Sequence, residues 1–181
     1  YPGEAVDESL GYILYGIPEQ KKLAQIPNIY WTEHPPIWSP DSSRFVMLGN
    51  NEFYLVSYDG VVSQVTHLNT IYNANNAKYR YFAEYYSWSP DSRHIAFWLG
   101  SADTNRYTLA VLDTSSGKVI DYCIPARGEG LYEWYVSTLY PVWSPDGKKL
   151  LIAANVRKEN EENDVILVDF EKNTSFVLTT N

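Results

Sequence analysis

The tetrapeptide Trp-Ser-Pro-Asp occurs three times in this chain, and this repetition constrains the fold more than any other feature of the sequence. The copies begin at Trp38, Trp88 and Trp143, with spacings of 50 and 55 residues. A repeat of this length is typical of proteins that arrange one supersecondary unit several times in succession. We therefore expect at least three similar structural units.

Each copy is followed by the same succession of apolar and polar segments. A short, almost continuous apolar run comes first, as expected for a strand that is buried on both faces. A second run ends near an Asp, and a turn leads into a third run. The first runs are 45–48, 95–99 and 150–154, the second are 53–58, 108–113 and 165–170, and the third are 61–66, 119–122 and 175–179. With a strand that ends at the Trp, every repeat is predicted to supply four antiparallel strands.

The side chains of the motif have a structural explanation. Pro after Ser cannot donate a hydrogen bond to a β-ladder, so it ends the strand, and Asp followed by Ser42, Ser92 or Gly147 favours a tight turn. Trp supplies a large apolar surface between neighbouring sheets, and its indole N–H can donate one hydrogen bond. We predict structural rather than catalytic roles for Trp38, Asp41, Trp88, Asp91, Trp143 and Asp146.

The repeat resembles that of the TolB-type β-propellers, which are related to the WD-repeat propellers. Blades of that family typically contain P-x-WSPDG-k-x-IAF followed by a strand like IYVVD. This chain has PIWSPD at 36–41, SWSPD at 87–91 followed by HIAF at 94–97, and PVWSPDG at 141–147. The first two copies depart from the pattern, because Ser42 and Ser92 replace the Gly of the family. The resemblance extends from Pro35 to Thr179.

The resemblance implies an all-β protein, a β-propeller of four-stranded antiparallel blades with about three and a half blades in this chain. We assign 1–34 to a partial blade (an outer hairpin), 35–67 to the blade with the first motif, 68–123 to an aromatic insertion plus the second blade, and 124–181 to an aromatic insertion plus the third, all in one propeller domain. Closed propellers have about 4 to 8 blades. We therefore expect this segment to belong to a larger ring or to one completed between molecules, because an open arc exposes the apolar faces at its ends.

Two connections between blades are longer than a propeller requires, namely 67–82 and 124–139. They occupy equivalent places in successive blades, so they are predicted to lie side by side on one face of the disc. Tyr, Trp and Arg are frequent anchors of binding surfaces. The candidate binding residues of this face are Tyr72, Tyr79, Arg80, Tyr81, Arg127, Tyr132, Trp134 and Tyr135. The alternative is that these side chains only cover the blade edges.

Charge and composition exclude several classes of partner. Lys and Arg total 14 against 22 Asp and Glu, for a formal net charge of −8. Such a balance opposes binding to a phosphate backbone, so we expect no nucleic-acid partner. The chain has no apolar run long enough to span a bilayer, so we expect no membrane insertion. The single cysteine, Cys123, excludes an internal disulfide and a cysteine-based zinc cluster.

Motifs of known catalytic chemistry are not present in the sequence. It contains no HExxH, no GxSxG and no glycine-rich phosphate loop, and His34, His67 and His94 lie in unrelated contexts. The acidic segment 157–164 lacks the ligand spacing of a calcium loop. We therefore expect no catalytic residue, no cofactor and no metal site within this chain.

The expected function comes from the resemblance. TolB-like propellers serve mainly as binding platforms, which implies a non-catalytic protein-binding or assembly module in the periplasm or outside the cell. Its partner would be another protein or further copies of itself. Two alternatives remain open: the propeller segment of a prolyl-oligopeptidase-like serine peptidase whose catalytic domain lies outside this chain, and a carbohydrate-binding propeller that uses the aromatic loops.

Overall fold

The structure is a computed structural model that describes residues 12–16, 21–26, 35–49, 51–68, 81–101, 106–127, 140–154 and 164–179. Within these ranges fourteen β-strands form one two-stranded sheet and three four-stranded sheets. The strands are β1 (Tyr12–Gly16), β2 (Lys21–Ile26), β3 (Ile37–Trp38), β4 (Arg44–Gly49), β5 (Glu52–Ser57), β6 (Val62–Gln64), β7 (Tyr81–Trp88), β8 (His94–Ser101), β9 (Arg106–Asp113), β10 (Lys118–Arg127), β11 (Val142–Trp143), β12 (Lys149–Ala154), β13 (Asp164–Asp169) and β14 (Thr174–Val177).

Each four-stranded sheet contains one copy of the motif. The first blade consists of β3 to β6, the second of β7 to β10 and the third of β11 to β14, and strands that are neighbours in the chain are neighbours in the sheet. All pairs within the blades are antiparallel. The predicted all-β architecture of four-stranded antiparallel blades is confirmed.

The strand register makes positions in the three blades comparable. The motif Trp lies opposite Phe45 in the first blade, Ile95 in the second and Leu150 in the third. The next residue of that strand is Val46, Ala96 or Leu151, and its side chain points to the opposite face. We call the face of Val46, Ala96 and Leu151 the forward face, and the face of Phe45, Ile95 and Leu150 the rear face.

The blades pack forward face on rear face. Between the first and second blades, Val46 and Leu55 lie in one buried cluster with Ile95, Phe97 and Leu112 of the second blade. A second cluster joins the other two blades, and it contains Ala96, Trp98, Leu109, Val111, Leu150, Ile152, Ile166 and Val168. Burial of these apolar surfaces is the main stabilising contribution to the arrangement.

A hydrogen-bonded turn follows each motif Trp. In the first copy the Ser39 hydroxyl donates to Asp41 Oδ1 at 2.6 Å, and the Ser43 backbone N–H donates to the same oxygen at 3.0 Å. These hydrogen bonds, above all the one from Ser39, lower the pKa of Asp41 to about 2. The residue after the Asp has a left-handed backbone, with φ of +60° at Ser42 and +71° at Gly147.

The second of these turns also joins two blades. Ser92 has a φ of +58°, and its hydroxyl oxygen accepts a hydrogen bond from the Asp41 backbone N–H at 3.0 Å. Arg44 of the first blade donates to the Ser92 carbonyl at 2.9 Å and to the Thr114 hydroxyl at 3.1 Å. Its guanidinium lies 5.6 Å from the centre of the Trp88 ring, within the range of a cation–π contact.

The two-stranded sheet of β1 and β2 occupies the outer half of a blade position. A Cβ placed on Gly117, in the turn after β9, would lie 2.7 Å from the carbonyl oxygen of Val65 at the end of the first blade. A Cβ on Gly60, in the equivalent turn of the first blade, would lie 2.8 Å from the carbonyl oxygen of Leu23 in β2. β1 and β2 therefore lie where the third and fourth strands of a preceding blade would lie, and we call them the half-blade.

The second blade has longer strands than the sequence pattern predicted. β7 begins at Tyr81 and β10 continues to Arg127, and each strand contains a register shift of the kind produced by a β-bulge. Near these shifts Tyr85 and Cys123 have left-handed backbones, with φ of +47° and +55°. Tyr85 and Tyr86, which follow the first aromatic connection in the sequence, are buried between blades.

Candidate functional site

The predicted aromatic loop face lies almost entirely outside the described residues. Those outside are Tyr72, Tyr79, Arg80, Tyr132, Trp134 and Tyr135. The other two candidates are placed by their backbones alone: Tyr81 is the first residue of β7, and Arg127 is the last residue of β10. The use of this face for binding therefore stays a prediction.

The two loops join the same end of the second blade, at its opposite edge strands β7 and β10. Tyr81 pairs with Ser101, Ser101 pairs with Arg106, and Arg106 pairs with Arg127, so the four residues form one row across the second blade. The row lies at the end of the blade opposite the motif turn. The first aromatic connection enters and the second leaves the second blade at this end.

The titratable groups of the described residues are mostly engaged in local contacts. His67 Nδ1 lies 3.1 Å from Gln64 Nε2, and His94 Nδ1 lies 3.4 Å from Asp91 Oδ2. His34 lies outside the described ranges, as does most of the acidic segment. Over the described ranges no cluster of three or more His, Cys, Asp or Glu is arranged to hold a metal ion. The same ranges contain no helix that is long and apolar enough to cross a bilayer.

A row of apolar side chains, exposed apart from the half-buried Leu167, crosses the forward face of the third blade. Val142, Leu151, Leu167 and Phe176 lie opposite one another on β11, β12, β13 and β14. Val142 is 58% exposed, Leu151 38% and Phe176 47%. Val165, two residues before Leu167 on the same side of β13, is exposed as well. We call these five residues the third-blade face.

The equivalent positions of the other two blades are fully buried. Val46 and Ala96 correspond to Leu151, and both are 0% exposed. The sequence pattern predicted that 150–154 would be buried on both faces, but Leu150 and Ile152 are buried on the rear face only. The difference arises because a following blade covers each of the first two forward faces, whereas no described element packs on the third.

The motif Trp side chains show the complementary difference at the other end of the arc. Trp88 Nε1 donates a hydrogen bond to the Ile37 carbonyl of the preceding blade at 3.0 Å, and Trp143 Nε1 donates to the Ser87 carbonyl at 3.3 Å. Trp38 instead is 54% exposed. Its ring packs edge-on against Phe45, with the ring centres 5.3 Å apart, and its indole N–H has no hydrogen-bond acceptor among the described residues.

The half-blade has an exposed rear face of its own. Ala24 points towards the first blade, since its Cβ lies 3.3 Å from the position of a Cβ on Gly60. Ile13 pairs with Gln25, the residue next to Ala24 in β2, so Ile13 lies on the opposite side of the hairpin from Ala24. Tyr15 lies two residues further along β1, beside a register shift of the hairpin, and Ile13 and Tyr15 are both exposed. They therefore form an apolar surface that faces away from the three blades.

A small cleft lies between β10 and the turn that follows β13. Its volume is about 130 Å³, and Tyr122, Ile124, Phe170 and Asn173 are among the residues that line it. Partial burial raises the pKa of Tyr122. A cleft of this size is smaller than the usual pocket for an organic ligand, about 300 to 1,000 Å³.

Sequence reasoning predicted exposed apolar faces at the ends of an arc, but it named none of their residues. A signal was available, because aligning the three repeats by their motif places Leu151 with Val46 and Ala96. The repeat pattern by itself does not show which of these positions is covered, since the third copy is as apolar as the others.

Solved structures share this fold, although no protein-family model and no curated protein matches the chain. TolB from Acinetobacter baumannii matches with a TM-score of 0.53 and 16% identity, over 82% of this chain and 32% of that one. Oligogalacturonate lyase in complex with manganese matches with a TM-score of 0.56 and 10% identity, over 80% of this chain and 35% of that one. The β-propeller domain of the Trilobed protease from Pyrococcus furiosus matches with a TM-score of 0.52 and 13% identity, over 93% and 48%.

Identities this low show the fold alone, which is a segment of a β-propeller. The likeness to TolB-type propellers predicted from the repeat is confirmed at this level. The chain spans about a third to a half of the length of these three structures. Their names describe a TolB protein, a lyase and a protease, so one fold accompanies different activities, and the activity has to be argued from the surface of this chain.

Proposed function

We propose that this chain is a non-catalytic protein-binding and assembly module of the β-propeller type. The single observation that supports the proposal is the third-blade face, in which Val142, Leu151 and Phe176 are exposed in one cross-strand row. Exposed apolar surfaces that extend over a whole sheet face are typical of sites that bind another protein. The partner is expected to cover this row.

The forward faces of the first two blades support the same proposal. Val46 and Ala96 are covered by a following sheet, and the residues that pair with them on the third strand, Leu55 and Val111, are apolar like Leu167 in the third blade. The third-blade face thus has the composition of a face that packs against a β-sheet. A partner with a flat apolar sheet surface would fit it better than a small ligand.

Photo-crosslinking in the source cells tests the proposal. A benzophenone amino acid replaces Phe176, an exposed aromatic residue of the third-blade face. The matched control carries the same group in place of Tyr58, an exposed aromatic residue in a turn of the first blade. We expect irradiation to join a protein to the chain at position 176 and not at position 58. No crosslinked protein at position 176, or equal crosslinking at both positions, would contradict the proposal.

A second candidate function is the propeller part of a serine peptidase. The similarity to the propeller domain of the Trilobed protease favours it. In that case the catalytic domain lies outside this chain, and the complete polypeptide contains a GxSxG nucleophile elbow. A fluorophosphonate probe that labels the native polypeptide would support the peptidase function, and a full reading frame without such a motif would exclude it.

A third candidate is carbohydrate binding by the aromatic loops, with Tyr79, Tyr81, Trp134 and Tyr135 as stacking residues. A glycan array tests it directly: an anchor residue is expected to contribute about 2 kcal/mol or more. Binding that is unchanged when all four residues are replaced by Ala would exclude the loop face as the sugar site.

The location that we propose is the periplasm or the cell exterior, and it rests on the resemblance to TolB-type propellers. Fractionation of the source cells tests it independently of binding. Recovery of the native polypeptide in the cytoplasmic fraction would contradict it.

A further inference from the structure

The two junctions between blades define what a forward face packs against. At each junction the third strand of the following blade places alternate apolar residues of its rear face against the preceding blade. In the second blade these residues are Ala110 and Leu112, which lie in one cluster with Leu55 on the third strand of the first blade. A forward face is therefore complemented by a third strand that places two alternating apolar residues against it.

The chain has such a strand at its other end. β1 lies in the place of a third strand, and Ile13 and Tyr15 are alternate, exposed residues on the rear face of the half-blade. At the opposite end of the arc, Leu167 lies on the third strand of the third blade and pairs with the exposed Phe176. The two ends of the arc thus expose the two surfaces that are joined at every internal junction.

We propose that the third-blade face of one molecule binds the half-blade of a second copy of this chain, with Leu167 and Phe176 against Ile13 and Tyr15. This inference rests on the proposed assembly function and names its partner. A contact between two different surfaces repeats from molecule to molecule until a ring closes. The described sheets of one 181-residue chain fill four blade positions, so two such chains joined in this way supply about eight, within the range of closed propellers.

Among the described residues the half-blade consists of two outer strands, and the proposed contact is made by these two strands. Trp38 lies on the first blade, outside this contact. Trp38 therefore does not contribute to the contact, whereas Tyr15 and Phe176 do. If the third blade instead displaced the half-blade and packed directly on the first blade, Trp38 would be part of the contact. Replacing Trp38 therefore distinguishes the two geometries.

Sedimentation velocity of the purified 181-residue chain tests the inference, with four variants measured alongside. We expect the unmodified chain to sediment at twice its mass of 20.8 kDa. Tyr15→Asp and Phe176→Asp should each weaken self-association by about 30-fold or more, because a charge is placed in an apolar junction. Trp38→Ala should leave it unchanged, as should Tyr58→Asp, an exposed position outside the junction. Circular dichroism of each variant verifies that the blades remain folded.

Mixing the two junction variants gives the sharpest result. Tyr15→Asp retains an intact third-blade face and Phe176→Asp retains an intact half-blade, so an equimolar mixture should form a dimer joined at one junction although neither variant dimerises alone. A dimer that survives Tyr15→Asp, or one that is lost with Trp38→Ala, would overturn the proposed junction.

The outcomes also distinguish this inference from the proposed function. An unmodified chain that stays monomeric at micromolar concentration would overturn the second copy as partner. In that case a crosslink of different mass at position 176 in cells would still support protein binding by the third-blade face. The absence of any crosslink there would contradict both.

Discussion

The second and third blades have the same strand order and the same motif, but only the second is covered on both faces. Ala96 on its forward face and Ile95 on its rear face are both fully buried, whereas in the third blade Leu150 is buried and its neighbour Leu151 is exposed. The comparison teaches that similar sheets acquire different roles from their neighbours. A blade inside the arc has both faces buried by its neighbours, and the blade at the end of the described arc has one apolar face exposed.

The largest expected effect comes from comparing the two faces of one strand. Ile152→Ala removes a buried side chain from β12 and should lower the free energy of unfolding by about 2 to 5 kcal/mol. Leu151→Ala, one residue away on the exposed face, should lower it by less than about 1 kcal/mol. Urea unfolding of both variants at one protein concentration measures the difference. Equal losses would contradict the exposure of the forward face.

The motif Trp residues provide the next comparison. Trp88→Phe removes the hydrogen bond to the Ile37 carbonyl and weakens the contact with Arg44, so a loss of about 1 to 3 kcal/mol is expected. Trp38→Phe changes an exposed ring and should alter stability by less than about 0.5 kcal/mol. Denaturation midpoints report both values. A larger loss for Trp38→Phe would mean that this ring is covered.

Ser42 and Ser92 both have a left-handed backbone, but only the Ser92 hydroxyl bonds to a neighbouring blade. Comparing their Gly variants therefore distinguishes the cost of the backbone conformation from the contribution of that hydrogen bond. Ser42→Gly relieves a backbone conformation that favours glycine and should stabilise the protein by up to about 1 kcal/mol. Ser92→Gly relieves the same strain but removes the acceptor of the Asp41 N–H, which contributes about 1 kcal/mol. We therefore expect Ser92→Gly to be the less stable variant in thermal unfolding. The opposite order would show that the hydroxyl contact between blades contributes little.

Acid sensitivity is the smallest expected effect and concerns the turns rather than the faces. The pKa of Asp41 is about 2, below its ordinary value of 3.8, because Ser39 and Ser43 donate hydrogen bonds to the carboxylate. A lowered pKa contributes stability that is complete above pH 4 and is lost as the pH falls towards 2. Urea midpoints between pH 2 and pH 5 should decline less in Asp41→Asn than in the unmodified chain. Parallel curves would contradict this role of the carboxylate.

Much of the fold was predictable because the same motif, followed by the same order of apolar and polar runs, occurs three times in the sequence. Trp38, Trp88 and Trp143 mark a strand end, a turn and an apolar strand in each repeat, and local and repeated signals of this kind agree with one another. The register shifts of the second blade were not predictable, since Tyr85 and Tyr86 look alike in a loop and in a bulged strand. A sequence pattern shows which side chains are polar and which are apolar. A β-bulge changes the direction of the strand and of its side chains without any change in that pattern.

The exposed apolar face was predictable in kind and not in position. An incomplete arc implies exposed apolar ends, but Leu151 has the same apolar character as Val46, and only the surrounding sheets show which of the two is covered. The aromatic residues of the two long connections were predicted to bind a partner because of their residue types alone. Of these, Tyr81 and Arg127 are placed at one end of the second blade, and the use of the loop face remains a prediction.

The most direct test of the central claim is the accessibility of one equivalent position in all three blades. Cys123, which is exposed, is first replaced by Ser, and a single cysteine then replaces Val46, Ala96 or Leu151. At nanomolar protein concentration, a fluorescent maleimide should label the cysteine at 151 as fast as a free thiol. The cysteines at 46 and 96 should react only through opening of a blade junction. Protection at 151 equal to that at 46 and 96 would contradict the account, because it would mean that the third forward face is covered like the other two.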